Sequence, residues 1–134
     1  MLRRRALLVV LALVGLFFVG IGVITLYGEL WRAHWLLPAH NEVTAMFASL
    51  YFTLGIFVLL ALKDPRGYRI LILFAAWSSL VHAAVMAVQG AQASGGARRD
   101  FIEAVILFGV IGVVLLALAP APRSEHVPAA IVGA

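Results

Sequence analysis

The sequence predicts an all-α integral membrane protein, a four-helix antiparallel bundle with both termini in the cytoplasm. Three observations carry that prediction. Of 134 residues, 64% are hydrophobic and only 12% charged, against roughly half apolar and a quarter charged in an ordinary soluble domain. The apolar residues gather into four runs, each near the roughly 20 residues that a membrane-crossing helix needs. The basic residues flank those runs instead of forming one patch, so a pI near 10.4 reflects membrane topology and not nucleic-acid binding.

A short basic head, Met1 to Arg5, precedes the first run, 6–27, which is apolar apart from Thr25 and its glycines. A cleaved leader has an apolar stretch of roughly 7–15 residues followed by an A-x-A-like site. This run is longer and lacks that site, so it reads as a retained span. Gly28 to Asn41 is a loop that holds Glu29, Trp31, Arg32, His34, Trp35 and His40. Trp31 and Trp35 suit a short helix lying at headgroup level, with both rings as interface anchors. Pro38 ends it. Asn41 suits an N-cap for the second span, 43–62, and Glu42 its first turn, where the helix dipole favours an acid.

Within the second span the inward candidates are Thr44, Ser49 and Thr53, and Gly55 allows close approach. Lys63-Asp64-Pro65-Arg66-Gly67 has the composition of a type I turn, Asp first, Pro second and Gly fourth. The third span covers about 69–89. Gly90 to Asp100 reads as a flexible Gly/Ala/Ser connection, and the fourth span covers about 101–119 with Glu103 near its start. Pro120 and Pro122 stop that helix. Residues 1–120 are thus expected to form one membrane domain and 121–134 a flexible tail.

Lysine and arginine positions set the orientation. Arg3, Arg4, Arg5, Lys63, Arg66, Arg69 and Arg123 fall on one side, and Arg32, Arg98 and Arg99 on the other. The excess places both termini in the cytoplasm of a bacterial inner membrane and turns the Trp/His loop outward. His82 then stands roughly 18 Å from the cytoplasmic end at 1.5 Å per residue, in the outer half of the bilayer.

The third span separates at helical spacing into three faces. Ser78, His82 and Gln89 share one. Ala76, Ser79, Ala83, Ala87 and Gly90 form a second, small enough for helix packing. Trp77, Val81, Ala84 and Val88 form a third, bulkier and apolar. Ionisable groups inside a membrane are costly and point to function. The expected site is therefore an outward-facing polar pocket floored by His82, with Ser78 and Gln89 beside it. Glu29, His34, His40, Glu42, Asp100 and Glu103 border it, and Trp31 and Trp35 roof it. A plainer reading stands beside this one. His82 can pair with Ser49, Thr53 or a carbonyl and simply hold helices together. In the same way His34 and His40 can be interfacial residues and Glu42 a first-turn acid.

Other chemistries find little support. The absence of cysteine removes thiol redox catalysis and thiolate-ligated metals. His34 and His40 straddle a proline, a poor spacing for a metal, and haem between helices wants a second histidine within a span. Glu29 lies at the boundary of the first span, not deep inside it as a small multidrug antiporter requires. No nucleophile motif or phosphate-binding glycine loop is present.

The runs Met46-Phe47-Ala48-Ser49-Leu50-Tyr51-Phe52-Thr53-Leu54-Gly55-Ile56-Phe57, Ala61-Leu62-Lys63-Asp64-Pro65, Trp77-Ser78-Ser79-Leu80-Val81-His82 and Met86-Ala87-Val88-Gln89 resemble a family of small, uncharacterised bacterial four-span proteins. Similar proteins combine a Tyr-x-x-Leu-Gly second span, an Asp-Pro turn, a Trp-Ser-Ser-x-x-His third span and a following Met-x-x-Gln. The resemblance covers about Leu30 to Ala91. It implies four helices, points to His40, Glu42, Ser78, Ser79, His82 and Gln89, and implies no activity. After Gln89 the chain departs from it: Ser94 to Asp100 stands where an acidic or His-rich stretch is expected. A looser similarity to the DoxX-like group rests on size and span count alone.

These readings converge on a small membrane protein that is a binding or accessory subunit for a lipid-soluble molecule or a partner subunit. Its expected partners are membrane lipids and a larger membrane complex or further copies of itself, not nucleic acid, and no cofactor is specified. The alternatives are a redox or lipid-modifying enzyme using His82 with His34 or His40, and a small transporter or proton-passage component.

Overall fold

A computed structural model of the chain describes residues 2–32 and 42–122, with side chains over 2–28 and 45–122. It contains four helices: α1 (Leu2–Arg32), α2 (Glu42–Leu60), α3 (Arg69–Gln92) and α4 (Gly95–Leu118). Three carry segments long and apolar enough to cross a membrane, Leu2–Gly28, Arg69–Gln92 and Gly95–Leu118, while the apolar part of α2, Ala45–Leu60, is shorter. The faces turned away from the bundle are apolar as well, with Leu13, Ile24, Phe74, Val81 and Ile106 all exposed. Apolar residues outside as well as inside mark a multi-pass membrane protein.

Because both faces are apolar, hydrophobicity alone does not mark the face turned inward. On α1 the buried residues Leu7, Leu11, Val14 and Phe18 follow a four-three-four spacing, the stripe of a left-handed bundle. On α3 the buried positions are Ile72, Ala75, Ala76, Ser79, Ala83 and Gly90, and on α4 they are Phe108, Ile111, Gly112 and Leu115.

The helices pack as two tight antiparallel pairs. In the first, Gly15 and Gly22 of α1 lie against Gly55, Leu59 and Phe52 of α2, the higher α1 position opposite the lower α2 one. In the second, Gly112 of α4 lies against Leu80 and Ala76 of α3, and Gly90 of α3 against Phe101 of α4. Missing Cβ atoms let the backbones approach, which supplies van der Waals contact where lipid offers no hydrophobic drive. Between the pairs, α1 meets α4 and α2 meets α3 over much less backbone.

Lys63 to Tyr68 joins the pairs. The turn closes one residue later than its composition predicts, with the Tyr68 amide donating to the Asp64 carbonyl at 3.1 Å. A side chain at Gly67 would collide with the Asp64 carboxylate. The expected flexible connection over 90–100 is instead mostly helix: α3 continues to Gln92, and only Ala93 and Ser94 separate it from α4. Gly95 takes φ +62 there, a conformation that glycine adopts without strain. Ala97 to Arg99 are good helix formers, and Arg99 pairs with Glu103 one turn on at 2.9 Å, so the segment reads as helix once started.

The start of α1 and the finish of α4 meet at one end of the bundle. Arg3 Nη2 donates to the carbonyls of Ala117 (3.1 Å) and Ala119 (3.3 Å), and Arg69 Nε donates to that of Pro120 at 2.9 Å. The carbonyls that end a helix have no intrahelical donor, and cations suit that end of the dipole. Replacing Arg3 with Met keeps the length and removes the donor to the Ala117 and Ala119 carbonyls. The expected result is a loss of about 0.3–1 kcal/mol, seen as faster amide exchange in the last turn of α4 with the rest of the bundle unchanged.

Candidate functional site

One aromatic or imidazole side chain from each helix meets at mid-height in the bundle. Tyr51 is the central residue of the 19-residue α2, and Phe18, His82 and Phe108 stand near the middles of α1, α3 and α4. The His82 ring packs on Phe108 with centroids 4.4 Å apart, and Phe108 lies 6.3 Å from Phe18 and 6.0 Å from Tyr51. Tyr51 and His82 approach edge to face, at 5.8 Å and 88°. Phe17 adds a further edge contact to Phe108 at 6.3 Å. Offset and edge-on arrangements of this kind are the favourable ones for aromatic rings.

Inside this cluster the Tyr51 hydroxyl and His82 Nδ1 share a hydrogen bond of 2.9 Å. It crosses from α2 to α3, between the two helix pairs, where the backbones touch least. A hydrogen bond at one ring nitrogen sets what the other can do. If Tyr51 donates, Nε2 carries the proton and is a donor. If Tyr51 accepts, Nε2 offers a lone pair. His82 is half-buried and its Nε2 has no partner among the described residues, yet no buried side-chain polar atom there lacks one. Nε2 is therefore not fully enclosed by the described residues.

His82 stands near the middle of α3, which extends to Gln92, beyond the expected end of the span. Its partner is Tyr51, not Ser49 or Thr53. Ser49 Oγ donates to the Met46 carbonyl (2.7 Å) and Thr53 Oγ1 to that of Ser49 (2.9 Å), and both residues are exposed. A hydroxyl in a helix can satisfy itself on the preceding turn and so face lipid at little cost. Tyr51 carried a legible hint as the aromatic of the Tyr-x-x-Leu-Gly string. Helical spacing does not show that its hydroxyl reaches α3.

The other candidates fall into three groups. Ser78 is half-buried beside His82, but its hydroxyl donates to the Ala75 carbonyl at 3.1 Å, the acceptor that Ser79 also uses at 2.8 Å. Ser79, Ala76 and Ala83 are buried against the bundle. Gln89, Ala87 and Glu103 are exposed, and Glu103 is engaged by Arg99 on its own helix. Gln89 shares the His82 face of α3 but lies two turns beyond it, roughly 10 Å along the axis, and Glu103 is held by Arg99, so neither bonds to the imidazole. Ala87 lines a shallow groove of about 270 Å³ with Met86, Gly90 and Phe101 instead of a closed seam. Glu29 and Trp31 lie in the last turns of α1, and Glu42 opens α2. Their side chains, and His34, Trp35 and His40 entirely, lie outside the described residues. The roof of the expected pocket and the second histidine of the enzymatic alternative are thus outside them too. Among the described residues no three His, Asp or Glu side chains cluster as metal ligands do.

No curated protein and no solved structure matches the chain. A family model matches residues 2–129, nearly the whole chain and all four helices. The chain belongs to the family described as Family of unknown function (DUF6632).

Proposed function

We propose that this protein binds a small lipid-soluble molecule through His82 Nε2, on the membrane-facing seam between α2 and α3. The Tyr51–His82 hydrogen bond of 2.9 Å carries the reading. It holds the imidazole in one orientation and leaves its second nitrogen incompletely enclosed near the middle of α3, where water is scarce and one hydrogen bond discriminates strongly. The matching ligand is apolar with a single hydrogen-bonding oxygen, a carbonyl or a hydroxyl according to the tautomer. Ser78 beside His82 supports a modest polar surround, and Trp31 at the end of α1, together with Trp35, is proposed to cover the outer approach. A role as a small subunit beside a larger complex uses the same seam, with a partner helix supplying the oxygen. The Lys/Arg asymmetry supports termini in the cytoplasm of a bacterial inner membrane, with 1–120 as one four-span domain and 121–134 as its tail.

Purification in mild detergent followed by native mass spectrometry tests the reading. Wild-type protein is expected to retain a molecule or a protein partner. Tyr51→Phe, which frees the imidazole without changing packing volume, should reduce retention several-fold, and His82→Ala should abolish it with helix content unchanged. If both variants lose only thermal stability, by about 0.6–1.7 kcal/mol as for hydrogen bonds between membrane helices, the pair is a structural link and the binding role fails.

A further inference from the structure

At the end of the bundle where α1 starts and α4 finishes, a cleft of about 530 Å³ opens between those helix ends and the α2–α3 turn. Its walls carry Arg3, Arg4, Lys63 and Arg66 against one acid, Asp64, with Leu7, Pro65 and Leu118 on its apolar side. Basic residues at this end are what topology alone demands. Topology does not demand that four cations from two separate parts of the chain line one cavity, where a single acid leaves an excess of positive charge that a bound anion offsets.

The cleft is also partly built. Arg3 is held by the carbonyls of Ala117 and Ala119 through a single nitrogen, Nη2, so the rest of its guanidinium can meet a ligand. Arg4, Lys63 and Arg66 have no hydrogen bond or ion pair among the described residues. The chemistry fits a phosphate oxygen cluster, which arginine forks bind bidentately and lysine binds as a point charge. The level of the cleft selects the source. Leu2 and Ile70, next in sequence to Arg3 and Arg69, are 84% and 81% exposed, so exposed apolar side chains stand at the same end of the bundle. A ligand there has its charge in the cleft and hydrocarbon beside it.

We propose that this cleft binds the phosphodiester headgroup of an anionic phospholipid, with its acyl chains descending from the Leu7 and Leu118 side. The site is independent of the Tyr51–His82 pair and stands or falls separately from it. Basic pockets at helix ends bind anionic headgroups with each cation contributing.

The full-length protein, delipidated in mild detergent, is titrated with phosphatidylglycerol and with phosphatidylcholine of the same chains, and read by native mass spectrometry. Phosphatidylglycerol is expected to bind on the order of tenfold more tightly. Arg4→Gln/Arg66→Gln should remove that preference. Arg98→Gln/Arg99→Gln, an equal change of charge at the opposite end, should leave it intact. Should the first pair disturb the fold by circular dichroism, Lys63→Gln/Arg66→Gln takes its place. Equal binding of the two lipids, or equal loss in the two double variants, overturns the proposal in favour of bulk charge. Displacement of phosphatidylglycerol by millimolar inorganic phosphate, with an equal gain in thermal stability, overturns the lipid as the source and leaves a free-phosphate site.

Discussion

Gly55→Ala is expected to destabilise the bundle by about 1–3 kcal/mol, the usual cost of forcing an extra carbon into a packed contact. A Cβ at this position would lie 2.6 Å from the backbone nitrogen of Val19 and 2.9 Å from the carbonyl oxygen of Gly15. Both are backbone atoms of α1, so no side-chain rotation relieves the clash and the two helices must separate. Separation loses contact along the whole pair, since Gly22 meets Phe52 and Gly15 meets Leu59 in the same seam. Gly20→Ala and Gly109→Ala are the controls. Neither site has anything within 4 Å of the added carbon, so stability should hold or rise slightly with the better helix former. Unfolding in mixed micelles with increasing dodecyl sulfate measures all three. Equal losses at Gly55 and Gly20 would mean that the α1–α2 seam is not where the structure places it.

Phe108→Ala should cost about 3 kcal/mol, toward the low end for a phenylalanine in a core. In lipid the transfer share of that cost is small, because the released surface meets hydrocarbon and not water. The cavity share persists, because Phe108 touches rings from all three other helices: Phe17 and Phe18, Tyr51 and His82. Its removal also takes away the surface against which the imidazole rests, so the Tyr51–His82 bond loosens with it. Phe108→Leu refills most of the volume and should recover more than half of the loss. The same unfolding assay decides it, and Phe108→Ala should exceed Tyr51→Phe clearly. If it does not, the helix pairs are held by something other than this cluster.

Much of this architecture was legible without coordinates. Four apolar runs, punctuated by Pro38, by Lys63 to Gly67 and by Pro120, announce four helices because backbone in lipid must satisfy its own hydrogen bonds. The stripe of Ala76, Ser79 and Ala83 announces the packing face of α3 because only small residues let helices touch closely there. His82 stood out because an imidazole in a span needs a partner. The boundaries were less legible. Gly90 to Asp100 looked flexible through its glycines, yet α3 runs on to Gln92, Gly95 serves as a helix start and the arginines continue it.

What sequence could not supply was the partner. Ser49 and Thr53 looked inward because hydroxyls are polar, but each is satisfied one turn back on its own helix. Tyr51 looked like one more aromatic in an apolar run. Which hydroxyl reaches His82 depends on the rotation of α2 about its axis, and that rotation is set by Gly55 and Gly22 bringing α2 against α1. Hydrophobic periodicity cannot report it, since the lipid side and the core side are equally apolar. The sequence by itself determined the helices, their small-residue seams and the isolated histidine, all of which follow from local chemistry. Only the tertiary structure decided that the histidine meets Tyr51 among rings from all four helices, and that arginines distant in sequence share one cleft. Those are facts about helix rotation and helix ends, which packing alone sets.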